Sequence, residues 1–234
     1  MIFLKMRTKK MRTPNNPNWE LVMKKANEFL ISSETIDSFP FSINKVLKEY
    51  SNIVCRTFAK AAQKYNIPIE EFGSDSAIIT RKLGRTIIFY NSNKPKAHIR
   101  FSILHEFGHE ILEHELSDND AKDYGTKEVE TNFFTAQVLM PEQLIREFQI
   151  RGVSISESFL MTTFGVSREA ARKRRSTLSK INWDWRSSQE NGSNDEAILK
   201  KYAPFLDSVK PRSFDSLDYM ENEYELENER NNWR

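Results

Sequence analysis

Cysteine is almost missing from this 234-residue chain. Cys55 stands alone, so no disulfide can form within it. A single thiol fits a reducing compartment, and the cytoplasm is the expected location. Long apolar runs are missing too. No stretch approaches the ~18 residues of a membrane span. The opening MIFLKMRTKKMR has an apolar triplet but no apolar core, so it does not read as a secretory signal. There is little surplus charge: the formal net charge of +2 carries no bulk electrostatic footprint of a nucleic-acid or membrane-surface protein. Internal repeats are absent. These absences leave a soluble protein with 38% hydrophobic and 29% charged residues, enough for one globular domain with some chain left over.

The charge that is present sits unevenly. Lys5, Arg7, Lys9, Lys10 and Arg12 make residues 1–16 a basic lead, and acids crowd the stretch from Asp215 to Glu229. Oppositely charged ends of this kind are expected to be solvated and disordered. The expected organisation is the basic lead, a folded domain over 17–182, and an acidic, largely disordered tail over 183–234. The domain divides into a helical N-terminal part, a catalytic core at about 67–150 and a helix-turn-helix-like part over 151–182. The tail holds EAILKKYAPFLDSV, which reads as one short helix.

Periodicity fills in the elements. NPNWELVMKKANEFLI has Asn16 and Pro17 as cap and first position of a helix. SINKVLKEY puts Ile43, Val46, Leu47 and Tyr50 on one face, and a third helix is expected from about Val54 to Tyr65. Two β-rich runs, Ala77 to Arg81 and Thr86 to Tyr90, flank Lys82-Leu83-Gly84-Arg85 and predict a β-hairpin. Helices follow over about Ser102–Glu113 and Lys127–Leu139, and continue to Leu178. The fold class is α+β: mostly helical, with a small antiparallel sheet.

Chemistry concentrates in FSILHEFGHEILEH, which contains His105-Glu106-Phe107-Gly108-His109. Residues i and i+4 share a helix face, so both histidines can direct a ring nitrogen at one cation. Glu106, rotated by one position, is placed to take a proton from water beside that cation, the general-base geometry of H-E-x-x-H hydrolases. The blander reading is a surface helix with two satisfied histidines.

A third ligand separates the two readings, since catalytic zinc usually has three protein ligands and an open position. The metzincin pattern needs a histidine where Glu115 stands and a glycine where Leu112 stands, and is excluded. His114, five residues past His109, points to another face and reads as structural or solvent-facing. The remaining candidates are the carboxylates Asp118, Asp120, Asp123, Glu128 and Glu130. On a helical projection of KEVETNFFTAQVLM, Glu128, Thr131, Asn132 and Thr135 form the polar face. Glu130 falls in the apolar face with Phe133 and Phe134. A buried carboxylate needs a partner; a zinc ion is one, a buried Arg or Lys another. The expected ligands are His105, His109 and Glu130, with Glu106 as the catalytic base and Zn2+ as cofactor.

RFSILHEFGHEILEH followed by EVETNFFTAQVLMP resembles the ImmA/IrrE family of metallopeptidases, whose pattern is R-F-x-x-A-H-E-L-G-H, then E-A-N-x-F-A-A-x-L-L-M-P. Glu130, Asn132, Phe134, Ala136, Leu139, Met140 and Pro141 match the second block. Leu104, Phe107, Thr131, Thr135 and Val138 depart from it. The resemblance spans roughly residues 50 to 180. It implies a zincin-like fold, the ligands and base just named, and site-specific cleavage of a protein partner. Members of this kind often accompany a helix-turn-helix repressor, whose cleavage relieves gene silencing.

Two rival readings come from other classes. ISESFLMTTFGVSREAARKRRSTLSKI looks like a helix-turn-helix with its turn at Phe164-Gly165-Val166-Ser167. Arg168, Arg172, Lys173, Arg174 and Arg175 form a phosphate-contacting set on the second helix. A DNA-binding regulator using residues 156–180 is therefore the alternative. The other rival is a silent scaffold that holds a repressor without cutting it. Gly108 is read as permitting close helix packing, and Tyr90, His98, Arg100 and Tyr124 as structural. The strand Thr86–Tyr90 is expected to offer an edge to an extended substrate. Neither the substrate-binding residues nor the oligomeric state can be read from the sequence.

Overall fold

A computed structural model describes residues 16–66, 68–82, 84–114, 124–181 and 192–211. The basic lead, the loop acids Asp118, Asp120 and Asp123, and the acidic run from Asp215 lie outside the described residues.

The chain opens with α1 (Trp19–Ser32), whose N-cap is Asn18, one position beyond Pro17; its side chain accepts a hydrogen bond from the Leu21 N–H at 3.1 Å. A short α2 (Ile43–Leu47) follows. The next element corrects an expectation. Ile53–Thr57 is a strand, β1, and the helix α3 begins only at Phe58 and runs to Tyr65. β-branched Ile53 and Val54 suit a strand, and Thr57 ends it by capping α3, accepting from the Lys60 N–H at 3.1 Å. The hairpin forms as expected: β2 (Ala77–Lys82) pairs antiparallel with β3 (Arg85–Tyr90).

The sheet is nevertheless mixed rather than antiparallel, with order β1-β3-β2 and β1 parallel to β3. That makes β3 the central strand, so the expected free edge along Thr86–Tyr90 does not exist; the edges belong to β1 and β2. Side chains alternate across β3. Ile88 joins the main core, while Ile87 and Phe89 face a second cluster with Phe58, Ala61 and Phe72.

Among the described residues, seven helices follow the sheet. The motif helix α4 (Lys96–Ile111) starts earlier than expected, straight after Pro95. α5 (Tyr124–Leu139), α6 (Glu142–Ile150), α7 (Glu157–Phe164) and α8 (Arg168–Leu178) complete the expected series. Helices α1, α4 and α5 pack together, and their rings meet: Phe29 lies 5.6 Å from Phe107 and 6.0 Å from Phe134 between centroids. Gly108 makes the α4–α5 crossing close. A Cβ there would come within 3.0 Å of Phe134 Cδ1 and of Thr131 Cγ2, so the packing role expected of this glycine fits the geometry.

The expected tail also needs correction. Residues 192–209 form two helices, α9 (Gly192–Lys201) and α10 (Ala203–Val209), not one. They bury Ile198, Tyr202, Phe205 and Leu206 in the main core. Burial of such side chains is worth roughly 1.5–3 kcal/mol each. Lys201 and Tyr202 seal the junction at the C-terminal end of α1: Lys201 Nζ donates to Leu30 O at 2.7 Å and Tyr202 Oη to the same oxygen at 2.9 Å. Among the described residues, no helix is long and apolar enough to cross a membrane.

Candidate metal centre

The centre is built where the second half of α4 meets the first half of α5. One helical turn separates His105 from His109, and their Nε2 atoms lie 3.3 Å apart. A carboxylate of α5 faces both. It belongs to Glu128: Oε2 is 3.5 Å from His105 Nε2, and Oε1 is 3.4 Å from His109 Nε2. Among the described residues, these three form the one group of His, Cys, Asp or Glu able to hold a metal ion. Burial alone would raise the Glu128 carboxyl. Hydrogen bonds from the two imidazoles and their charge outweigh it, and hold the group well below the ordinary carboxylate range.

The arrangement puts Glu128, not Glu130, on the histidine pair, and this corrects the expected ligand set. Glu130 does face inward and does find partners, as its place among apolar neighbours required. They are the Asn18 N–H, 2.7 Å from Oε1, and His114 Nε2, 3.2 Å from Oε2. The projection failed because most of the polar face of α5 is covered. The helix lies between α1 and α4, and Thr131, Thr135 and Gln137 are as buried as Phe134 and Val138, with Asn132 left exposed. Glu128, one turn before Thr131, therefore lies on the face that crosses α4. The signal was legible in principle: Gly108 on one helix and a buried threonine on the other mark a close crossing.

His114 was likewise undervalued. It is buried, with Nδ1 3.1 Å from His109 Nδ1. Burial, then the neighbouring His109, push its pKa down, while Glu130 pulls the other way. The Thr131 hydroxyl lies 3.3 Å from Nδ1 of both rings and donates its proton to Lys127 O at 2.7 Å. His105 differs from His109 here: among the described residues, its buried Nδ1 has no hydrogen-bond partner.

Other residues near the motif hold structure. Arg100 donates through Nη1 to Phe164 O at 3.3 Å and Gly165 O at 3.2 Å, tying α4 to the α7–α8 turn. His98 Nε2 meets Ser76 Oγ at 2.9 Å. Arg81 bridges β2 to the end of α4, pairing with Glu110 at 2.8 Å.

The donor set suits a tetrahedral cation. Ligands bonded at about 2.0–2.2 Å in a tetrahedron stand about 3.3–3.6 Å from one another. The two imidazole nitrogens stand at such a separation, and the partly buried Glu128 carboxylate presents one oxygen to each of them at 3.4–3.5 Å. The IrrE N-terminal-like domain, a metallopeptidase family, matches residues 55–176, just over half of the chain. The chain belongs to this family. The match takes in the end of β1, the hairpin, both helices of the metal centre and nearly all of α8. No curated protein matches the chain. A peptidase of this family acts on protein, so the chain's substrate class is polypeptide.

The helix-turn-helix-like segment forms as read, with Gly165 in the left-handed region at φ +63° and Ser167 capping α8. Its cationic set shrinks, however. Arg174 is 2% exposed, donating from Nε to Met140 O at 3.0 Å and from Nη2 to Gln137 Oε1 at 2.5 Å. Lys173 pairs with Glu169 at 2.7 Å, and Arg175 lies 4.0 Å from Glu157.

Proposed function

We propose that the protein is a zinc-dependent endopeptidase that cleaves a helix-turn-helix repressor and so relieves gene silencing. The observation carrying the enzymatic reading is the convergence of three groups: His105 Nε2 and His109 Nε2 lie 3.3 Å apart, and the Glu128 carboxylate sets Oε2 3.5 Å from the first and Oε1 3.4 Å from the second. Two neutral imidazoles and one carboxylate leave a divalent ion net positive, the electrostatic condition for catalysis at a carbonyl. Zinc is favoured over harder ions because two of the three donors are imidazole nitrogens. When bound, it supplies a lowered pKa for water, toward ~7, and polarisation of the scissile carbonyl.

The chain's own residues do the rest. His105 and His109 present ring lone pairs from consecutive turns of one helix, which fixes their separation. Glu128 brings the negative charge from a second helix. Glu106, half-buried between the two histidines in sequence, accepts the proton as water adds to the carbonyl carbon. It then returns that proton to the leaving amine. The repressor as substrate rests on the family: its members commonly act beside such a partner.

The test uses Glu106→Gln in the full chain, co-expressed with the small helix-turn-helix repressor encoded nearest to it. The parent should cut the repressor. The variant should keep about one zinc per chain and lose cleavage by the ~100-fold or more expected of a general base. Unchanged cleavage would remove Glu106 from this role. Zinc below a tenth of an equivalent in the metal-replete parent would remove the metal reading.

Binding to DNA through α8 is the weaker reading. Of its four exposed cations, Lys173 is paired and Arg175 is partly so, leaving Arg168 and Arg172.

A further inference from the structure

We propose that Glu130 and His114 are positioning residues for the metal centre, through a hydrogen-bonded series that dictates which nitrogen of His109 carries its proton. The inference rests on the metal reading above and extends it to residues that touch no ligand position.

The series begins at a backbone group. The Asn18 N–H can only donate, and it occupies Glu130 Oε1 at 2.7 Å. The other oxygen, Oε2, lies 3.2 Å from His114 Nε2. A carboxylate only accepts, so His114 Nε2 is the donor and its Nδ1 carries a lone pair. That lone pair faces His109 Nδ1 at 3.1 Å, which therefore donates. Thr131 is compatible with this order but does not set it. Its one hydroxyl proton goes to Lys127 O at 2.7 Å, so toward the rings Oγ1 can only accept, and it lies 3.3 Å from Nδ1 of both His109 and His114, ready for whichever ring carries its proton there. The N–H of His109 Nδ1 thus has two acceptors. With its proton held there, the neutral ring has a bare Nε2 to offer a metal; in the metal-free ring the Glu128 carboxylate, 3.4 Å from Nε2, draws a proton to that nitrogen, and the series from His114 opposes it. Both rings are at most 8% exposed, so water does not readily replace these partners. Partners of this outer kind orient a ligating histidine and fix its tautomer.

Glu130→Gln tests the proton order with little change of shape. An amide must turn its oxygen to the Asn18 N–H, because its NH2 there would set donor against donor. The NH2 then faces His114 Nε2 and reverses the series: His114 Nδ1 carries the proton, and His109 is driven to hold its own on Nε2. In the full chain, the zinc Kd by competition with a chromophoric chelator should rise about 10–100-fold. In a His114→Ala background the same Glu130→Gln change should alter the Kd by less than about 3-fold, since the relay is already cut.

An equal loss in both backgrounds would overturn the proposal, and would be the result if Glu130 itself bound the metal. So would an unchanged Kd in Glu130→Gln. Ring 15N shifts of His109 in the metal-free protein give a readout without zinc. They should show Nδ1–H in the parent and a shift toward Nε2–H in Glu130→Gln; the same tautomer in both would also overturn the proposal. A parent that binds no zinc would instead sink the metal reading, and the 15N comparison would still judge the proton order.

Discussion

Helix α5 carries two buried polar clusters, one at each end, and they are built on opposite principles. At the C-terminal end, Gln137 Nε2 donates to Asn27 Oδ1 at 3.0 Å and to Gln143 Oε1 at 2.9 Å. Its Oε1 accepts from Arg174, and Gln143 donates onward to Asp195 at 2.7 Å. Amides alternate donors with acceptors, so this network closes on itself. At the N-terminal end, His105, His109 and Glu128 turn three lone-pair-bearing atoms toward a common point. Acceptors aimed at one another are stable only with a proton or a cation among them. The closed cluster serves packing; the convergent one serves chemistry. Both ends are polar and turned away from solvent, the C-terminal one more fully, and donor–acceptor balance tells them apart.

The contrast can be broken by substitution at each end. The largest effect is expected from Glu128→Ala. Zinc affinity should fall well beyond the ~10–100-fold typical of outer partners, while metal-free melting stays near that of the parent. Titration with zinc and thermal melts check both halves. A collapse of the metal-free fold would show that the convergent cluster also serves packing.

Gln137→Leu should do the reverse. It strands Asn27, Gln143 and part of the Arg174 guanidinium without their partner, costing about 3 kcal/mol, or a fall in Tm of about 6–12 °C for a chain this size. One zinc per chain should still bind. Loss of zinc would mean that the two ends are coupled.

Gly108→Ala lies on the shared helix crossing and sharpens the picture. Its Cβ would press on Phe134 and Thr131 at 3.0 Å, which should cost roughly 1–3 kcal/mol of stability. Because Thr131 also touches His109, zinc binding should weaken as well, unlike with Gln137→Leu. Isothermal titration with the metal, read beside the melts, separates the two responses.

The smallest effect is expected at Cys55, away from both clusters. Burial pushes its thiol up to about 12, so it stays protonated at neutral pH. Alkylation in the native protein should be far slower than that of a free thiol; labelling at the free rate would show that β1 opens.

Much of this was legible in the residues. The spacing of His105 and His109 places two imidazoles on one helix face whatever the chain does elsewhere, because the helical repeat is local. The hairpin, the α7–α8 turn at Gly165 and the end of α5 at Met140-Pro141 are local in the same sense. The need of Glu130 for a buried partner was also readable, from its apolar neighbours. The partner's identity was not. A projection of α5 shows which residues share a face, but not how many faces a neighbouring helix covers. The two helices flanking α5 decided that Glu128 would meet the histidines, and that Glu130 would meet His114 and the start of α1. The same holds for the parallel pairing of β1 with β3 and for the docking of α9 on α1 and of α10 on α6. Each joins residues far apart in the chain, and their energy comes from surfaces that exist only once both partners have folded. Local periodicity set the motif; long-range packing chose its third member.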